Sequence, residues 1–176
     1  METVKPVPHP SIEERAARGR EVRKRVPRSS LGAWEPPTSG RDPVGLLHEQ
    51  ENTRVPELVQ IRHERMLGSP FAFFRGAAVV MAADIASEPQ TGLVVQCCGD
   101  AHLANFGGFA SPDRSLVFDI NDFDETSVGP FEWDVKRLAA SLQIAARSRE
   151  FTDDVARTVV QGSMDAYREA MRGLRP

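Results

Sequence analysis

Residues 98–134 read CGDAHLANFGGFASPDRSLVFDINDFDETSVGPFEWD, and this stretch decides the fold that we expect. The run GLVVQC at residues 92–97 precedes it and is typical of a short strand. Glycine and polar residues fill positions 99–108, which predicts a loop, and SLVFDI at 115–120 predicts a second strand. A strand that begins at Phe109, followed by a turn at residues 111–113, completes the pattern of a β-hairpin.

The sequence on both sides of this stretch has helical patterns. Two short helices, broken at a proline, are predicted over residues 43–67, and the small and apolar residues that follow predict a buried helix over 75–86. Apolar spacing predicts another helix over 134–148 with Asp134 at its N-terminus, and a capped last helix over 152–172. The expected fold class is therefore α+β, with a mainly helical body and a small β-hairpin.

Composition limits the class of protein. The chain has 176 residues, of which 40% are hydrophobic and 27% are charged, and its net charge is −3. These values are ordinary for a globular domain and give no sign of nucleic-acid binding. We expect residues 1–42, which are basic and rich in proline, to form a flexible arm. Residues 43–176 would then form the folded domain, truncated at its C-terminus.

Three features point to a cytoplasmic protein. The chain has no apolar run near the roughly 20 residues that span a bilayer, and its N-terminus lacks the apolar core of a secretory signal. Its two cysteines, Cys97 and Cys98, are adjacent, so that on a strand they point to opposite faces. We expect no disulfide between them, which suits a reducing compartment.

Acidic residues are concentrated in the second half of the stretch. Between Arg114 and Lys136 there is no lysine or arginine, but there are six acids, Asp119, Asp122, Asp124, Glu125, Glu132 and Asp134. Like charges repel, and a divalent cation would offset them; carboxylate and amide oxygens suit Mg²⁺ or Mn²⁺ better than zinc. A solvated acidic loop explains the charges equally well.

The loop after the first strand adds candidate catalytic residues, because Asp100, His102 and Asn105 lie within six residues. In phosphotransfer enzymes such a loop provides a carboxylate that accepts the hydroxyl proton of the substrate and an amide oxygen that binds a metal. An aspartate after the next strand holds the metal that contacts the nucleotide phosphates. Asp122 is placed for that role, and Asp119 is a second candidate.

Three motifs occur in an order that resembles a known class of enzymes. GDAHLAN at 99–105 is similar to the catalytic loop of aminoglycoside phosphotransferases and choline kinases, and NDFD at 121–124 to their metal motif. WDVKRLA at 133–139 resembles the segment in which a helix-start aspartate braces that loop. Together SPFAFFRGAA, CGDAHLANFG, FDINDFDET and GPFEWDVKRLAAS resemble the bacterial domain-of-unknown-function 2252 family over about residues 45–175.

This resemblance implies a kinase-like phosphotransferase, with a body like the C-terminal lobe of a kinase and the site on its hairpin. It implies that Asp100 is the catalytic base, that His102 positions the loop, and that Asn105 and Asp122 bind the metal. Asp134 would be a structural brace. The implied cofactors are Mg²⁺ (or Mn²⁺) and ATP, and the acceptor would be a hydroxyl group of a small molecule or a protein.

A kinase also needs a nucleotide lobe, and the sequence lacks the usual signs of one. None of the three lysines, Lys5, Lys24 and Lys136, lies in a predicted strand, and no GxGxxG precedes the catalytic loop. Arg75 is the candidate for a phosphate contact in place of lysine, although a buried salt bridge would also explain a charge in an apolar segment.

Two other functions therefore stay open. One is a non-catalytic, degenerate kinase-like module or fragment that binds a partner. The other is a metal-dependent phosphohydrolase that would use His102 with Asp100, Asp119 and Asp122 around two metal ions.

Overall fold

The computed structural model describes residues 10–36 and 39–174. The described part is α+β, as expected, with two separate two-stranded antiparallel sheets among α-helices. The helices are α1 (Ile12–Arg25), α2 (Pro43–Glu51), α3 (Pro56–Met66), α4 (Pro70–Gly76), α5 (Ala78–Ala86), α6 (Phe131–Ser148) and α7 (Asp153–Gly173). The strands are β1 (Val94–Cys97), β2 (Phe106–Ala110), β3 (Leu116–Ile120) and β4 (Ser127–Pro130).

Helix α1 lies within the segment that was expected to be a flexible arm. The Ser11 side chain accepts a hydrogen bond from the amide of Glu14, and the Glu14 carboxylate accepts one from the amide of Ser11, which forms a capping box. Val22 and Val26 are buried, at 6% and 9% exposure. This part of the chain is therefore helical, while the division of the chain near residue 42 stays a prediction.

Helices α2 to α5 surround a small apolar cluster. Met66, Ala77 and Val80 are buried together, and Leu47 and Val79 pack against them. Helices α2 and α3 separate at the predicted break, and α4 ends where α5 begins, at Ala77. Because α4 contacts both α3 and α6, this cluster sets the position of α4 beside the central helix.

The predicted hairpin is formed by β2 and β3, with Phe106 opposite Ile120. It extends further than expected, since residues 106–108, which were predicted as loop, belong to β2. Glycine is unfavourable in strands, yet a Cβ on Gly107 would lie 2.5 Å from the side-chain nitrogen of Asn121. The close approach of the Asn121 side chain, just after the partner strand, therefore explains the glycine at position 107, whereas a Cβ on Gly108 would make only ordinary contacts.

Strand β4 was not predicted, because Gly129 and Pro130 are typical of turns. It pairs antiparallel with β1, with Cys97 opposite Ser127. Since β4 leads directly into α6, the pairing places the loop after β1 beside the first turn of that helix. Both cysteines are buried and free, as expected.

Helix α6 is the centre of the body and contacts α4, α5, α7 and β1. It begins at Phe131, so that Asp134 lies in its first turn rather than at its start. Helix α7 has the predicted cap, with Thr152 accepting from the amide of Val155, and packs on α6 through the fully buried Ala156. None of the helices in residues 10–36 and 39–174 is long and apolar enough to cross a membrane.

Candidate functional site

The base of the hairpin brings Asn105 and Asp122 together, because Asn105 directly precedes β2 and Asp122 closely follows β3. The Asn105 side-chain nitrogen donates to the backbone carbonyls of Asp122 (3.0 Å) and Asp100 (3.2 Å). Carbonyl oxygens only accept hydrogen bonds, so the amide nitrogen must face them. Its Oδ1 receives no hydrogen bond from the described residues and stays available as a ligand.

The contacts at the base of the hairpin distinguish between the two aspartates that were candidates for the metal ligand. Asp122 is linked to Asn105, and its own carboxylate accepts the amide of Asp124 at 3.0 Å, which holds the turn in place. Asp119 lies within β3, and its carboxylate accepts the amide of Ile120 at 2.8 Å. Both side chains are exposed. These contacts favour Asp122 as the partner of Asn105.

Asp134 makes the contact that the resemblance implied for a brace. Its carboxylate accepts the amides of Cys98 (2.7 Å) and Gly99 (3.1 Å). Gly99 has φ +92°, and a Cβ at this position would overlap the carbonyl oxygen of Glu125. The start of the loop is therefore held between helix α6 and the segment that leads into β4.

Arg137 is a site residue that was not predicted. Its side chain is 4% exposed, and its Nε donates to Asp100 Oδ1 at 2.7 Å. Another guanidinium nitrogen donates to the Phe74 carbonyl at 2.6 Å, and the guanidinium carbon lies 3.8 Å from the centre of the Phe74 ring. Burial lowers the pKa of Arg137, and the negative charge of Asp100 opposes this shift.

A sequence signal for Arg137 exists in its spacing. Residues three apart share a helix face, so a helix that presents Asp134 to the loop also presents Arg137 to it. Ser141 lies four residues further along the helix and is fully buried. Its hydroxyl oxygen accepts a hydrogen bond from the amide of Leu103, in the same loop, at 2.9 Å. One face of α6 thus contacts the loop at three successive turns.

Asp100 keeps one oxygen for other partners. Oδ1 is bound by Arg137, whereas Oδ2 lies 3.7 Å from His102 Nε2, beyond ordinary hydrogen-bond distance. The Asp100 side chain is 19% exposed. A hydroxyl group could therefore reach Oδ2 while Arg137 holds the carboxylate in a single orientation.

His102 is buried at 7% exposure, and its Nδ1 has no hydrogen-bond partner among the described residues. Burial lowers its pKa; Arg75 and Arg137 act in the same direction, and Asp100 opposes them. The backbone of His102 turns the loop, since its amide donates to the Asp100 carbonyl (2.8 Å) and its carbonyl accepts the amide of Asn105 (2.9 Å). These contacts agree with a positioning role.

The lowered pKa of His102 predicts a loss of stability in mild acid. The unfolded chain binds a proton at a pH near the ordinary value of about 6.5, whereas the folded chain resists protonation. The contribution of neutral His102 to the free energy of unfolding is complete above that pH. It decreases as the pH falls below it, by at most about 1.4 kcal/mol per pH unit. Urea unfolding between about pH 5 and pH 7.5 measures this slope.

His102→Gln should flatten that dependence, while His48→Gln, which changes an exposed histidine, should retain the wild-type slope. An unchanged slope in His102→Gln would show that His102 does not cause the acid sensitivity.

Arg75 differs from expectation. It was predicted to be buried with an anionic partner, but its side chain is exposed, and no carboxylate of the described residues lies within 4.0 Å of it. Phe71 and Phe74, on the same short helix, are half-buried instead, so that α4 presents its aromatic rings to the body. Phe71 of the same helix lies edge-on to the His102 ring, with 6.5 Å between the ring centroids, so that α4 borders the loop.

The six acids do not form one cluster. Backbone amides of Ile120, Asp124 and Thr91 donate to Asp119, Asp122 and Glu132, and Asp134 accepts two more. Within residues 10–36 and 39–174, no three histidine, cysteine or acidic side chains are grouped as a metal site. Separation and amide donors therefore reduce the repulsion that the sequence suggested.

Fold and site together define an α+β protein whose Asp100–Asn105 loop and Asp122 turn meet at the base of a hairpin and are braced by a central helix. The family model described as "Uncharacterized protein conserved in bacteria (DUF2252)" matches residues 54–176, and the chain belongs to this family. The resemblance to the domain-of-unknown-function 2252 family is thereby confirmed, whereas the resemblance to kinases stays a prediction. No curated protein and no solved structure matches the chain.

Proposed function

We propose that this chain carries the base-and-metal half of a kinase-like phosphotransferase site, which transfers a phosphoryl group from ATP to a hydroxyl acceptor. The observation that carries the proposal is the side chain of Asn105. Its nitrogen binds the backbone of both Asp100 and Asp122, and its oxygen has no hydrogen-bond partner among the described residues although the residue is buried. A base, an amide ligand and a metal aspartate are the parts that such a site combines.

The donor set fits a hard divalent cation. Asn105 Oδ1 and the Asp122 carboxylate would hold Mg²⁺ or Mn²⁺, which prefer oxygen ligands and retain several waters. When bound, such a cation would neutralise charge on the transferred phosphate. The remaining chemistry belongs to the chain, in which Asp100 Oδ2 would accept the proton of the acceptor hydroxyl.

Few basic side chains among the described residues are candidates for a contact with the nucleotide phosphates. Lys24 pairs with Glu21, and Lys136 pairs with Glu88, so both described lysines are engaged. Arg75 is exposed and influences His102, which makes it our candidate for a phosphate contact. The likeness of the helical body to the C-terminal lobe of a kinase is part of the same proposal.

In a version of the protein that also carries a nucleotide-binding lobe, replacing Asp122 with alanine should abolish Mg²⁺-dependent ATP binding. At an ATP concentration 100 times its Kd, the wild-type protein should gain about 2.7 kcal/mol of stability, which raises Tm by several degrees. Asp122→Ala should show no such rise, because the cation loses its charged ligand. Thermal unfolding with ATP, with and without Mg²⁺, measures the effect.

Asp119→Ala is the matched control, since Asp119 is also exposed but lacks the link to Asn105. It should keep the wild-type shift. A protein without any Mg²⁺-dependent shift, or equal shifts in both variants, would contradict the proposal.

A non-catalytic module is the second candidate, and the buried ion pair between Arg137 and Asp100 favours it, because it occupies one carboxylate oxygen of the proposed base. The variant Asp100→Asn distinguishes a phosphotransferase from a non-catalytic module. In an enzyme it should keep ATP binding and lower the turnover rate by about 10²–10⁴-fold. Wild-type protein that binds Mg²⁺ and ATP but transfers no phosphate to any hydroxyl acceptor or to water would be such a module.

A further inference from the structure

A cavity of about 1400 Å³ lies between the N-terminal segment and the body. Val22 and Val26, the buried valines of the N-terminal segment, line one side. Ile85, Val135 and Met164, from three different helices, are among the apolar residues on the other side. Asp100, Asn105, Asp122 and Arg137 do not line it, so that this cavity is separate from the candidate phosphotransfer site.

Some of the charged side chains that line the cavity form salt bridges, and others do not. Lys136 pairs with Glu88, Arg168 with Asp165, and Asp84 with Arg41. Arg23, Arg28 and Arg172 also line the cavity, are exposed, and have no carboxylate within 4.0 Å among the described residues. The walls are thus apolar, and unpaired positive charge stands where the walls meet solvent.

Glu132 is the one acid of the wall without a salt bridge in the described part of the chain. Its carboxylate accepts the amide of Thr91 at 2.7 Å, and it is 2% exposed. Its second oxygen is buried and has no hydrogen-bond partner among the described residues. Because Glu132 is almost fully buried, the unpaired charges that a ligand would meet on entering from solvent are those of the exposed arginines.

We propose that this cavity binds a single-chain anionic amphiphile, a long-chain carboxylate taken from solution. The alkyl chain would lie between Val22 and Val26 on one side and the body on the other, and its carboxylate would pair with Arg23, Arg28 or Arg172. Apolar walls with a few polar groups at one end are the usual form of such sites. The inference is independent of the phosphotransferase proposal.

Because the cavity separates the N-terminal helix from the body, an occupant would join the two. The alkyl chain would cover apolar side chains that are exposed on the two sides of the cavity, Trp34 on one and Val95 and Met171 on the other. Binding should therefore protect α1, whose arginines are exposed sites for trypsin, from cleavage.

Isothermal titration with straight-chain carboxylates from octanoate to tetradecanoate, below their micelle concentrations, tests the proposal. Binding should saturate at one carboxylate per chain, and each added CH₂ should tighten Kd by up to about fourfold. Decan-1-ol, the neutral counterpart of decanoate, should bind about two- to fivefold more weakly, because it cannot pair with arginine.

Substitutions inside and outside the cavity test whether the carboxylate binds there. Ala139→Phe fills the cavity from α6 and should weaken dodecanoate binding by about tenfold or more, whereas Ala166→Phe, at an exposed position outside the cavity, should not. Arg172→Glu should weaken it by about fivefold or more, and Arg157→Glu, on the same helix but outside the cavity, should not. Circular dichroism of each variant confirms that it is folded.

No saturable binding, a Kd that does not depend on chain length, or equal loss in the cavity variants and their controls would overturn the proposal. Unchanged trypsin cleavage of α1 at saturating dodecanoate would also overturn it. Neither Mg²⁺ nor ATP is needed in any of these measurements, so failure of the phosphotransferase proposal does not affect them.

Discussion

Replacing Arg137 with methionine should lower the free energy of unfolding by about 3 kcal/mol. The guanidinium is 4% exposed, bonded to Asp100 at 2.7 Å and to the Phe74 carbonyl at 2.6 Å. Methionine fills similar space but donates no hydrogen bond, so a partly buried carboxylate and a carbonyl lose their partner. The expected cost is at the low end for a broken buried pair, because the Asp100 side chain retains 19% exposure.

Arg147→Met is the matched control on the same helix. Arg147 pairs with Asp153 at 3.0 Å, but these side chains are 62% and 69% exposed, and such pairs contribute about 0–1 kcal/mol. Urea unfolding of both variants at neutral pH measures the difference. Equal costs for the two replacements would show that the buried pair does not hold the loop.

Asp100→Asn in the Arg137→Met background extends this test. Asparagine removes the unpaired charge and keeps an oxygen, so that the double variant should recover part of the stability lost in Arg137→Met. A double variant as unstable as the sum of the single ones would mean that the two residues act independently. The result also bears on catalysis, since the same pair orients the proposed base.

Replacing Gly99 with alanine should cost roughly 2–5 kcal/mol. Two penalties combine here, because φ is +92° and the new Cβ would overlap the carbonyl oxygen of Glu125. That oxygen belongs to the backbone and cannot move aside as a flexible side chain could. The loop would shift away from Asp134, which accepts the Gly99 amide at 3.1 Å.

Gly92→Ala provides the comparison for this effect. Gly92 also has a positive φ, +75°, but a Cβ there would meet no atom within 4 Å, so only backbone strain of about 1–2 kcal/mol is expected. Thermal and urea unfolding of the two variants separate strain from overlap. If both replacements cost the same, the close approach of Glu125 does not limit the loop.

Much of the helical fold could be predicted because its signals are local. The capping residue Thr152, the break before α3 and the apolar spacing of α6 and α7 are read within one turn of helix. Strand β4 was not predicted because the signal for it is not local. Its residues Gly129 and Pro130 favour turns, and only pairing with β1 makes the segment a strand.

The candidate site was predictable in its motif residues and, through the resemblance, in the Asp134 contact, but not in the contacts of Arg137 and Ser141. Asp100, Asn105 and Asp122 were identified from spacing and resemblance, and the structure places them around one amide side chain. Arg75 was expected to be the buried charge, whereas Arg137 occupies that role. Arg75 stands in a largely apolar segment, whereas the signal for Arg137 is its spacing from Asp134, which can be used only once Asp134 is taken to face the loop.

The sequence by itself determined which residues are candidates for chemistry, since a carboxylate, an amide and a second aspartate are recognised by residue type and spacing. Tertiary structure decided how they are held. Asp134, Arg137 and Ser141 support the loop because β1 and β4 pair and place it against one face of α6. These partners lie more than 30 residues from the loop along the chain, and no local pattern encodes a contact over that distance.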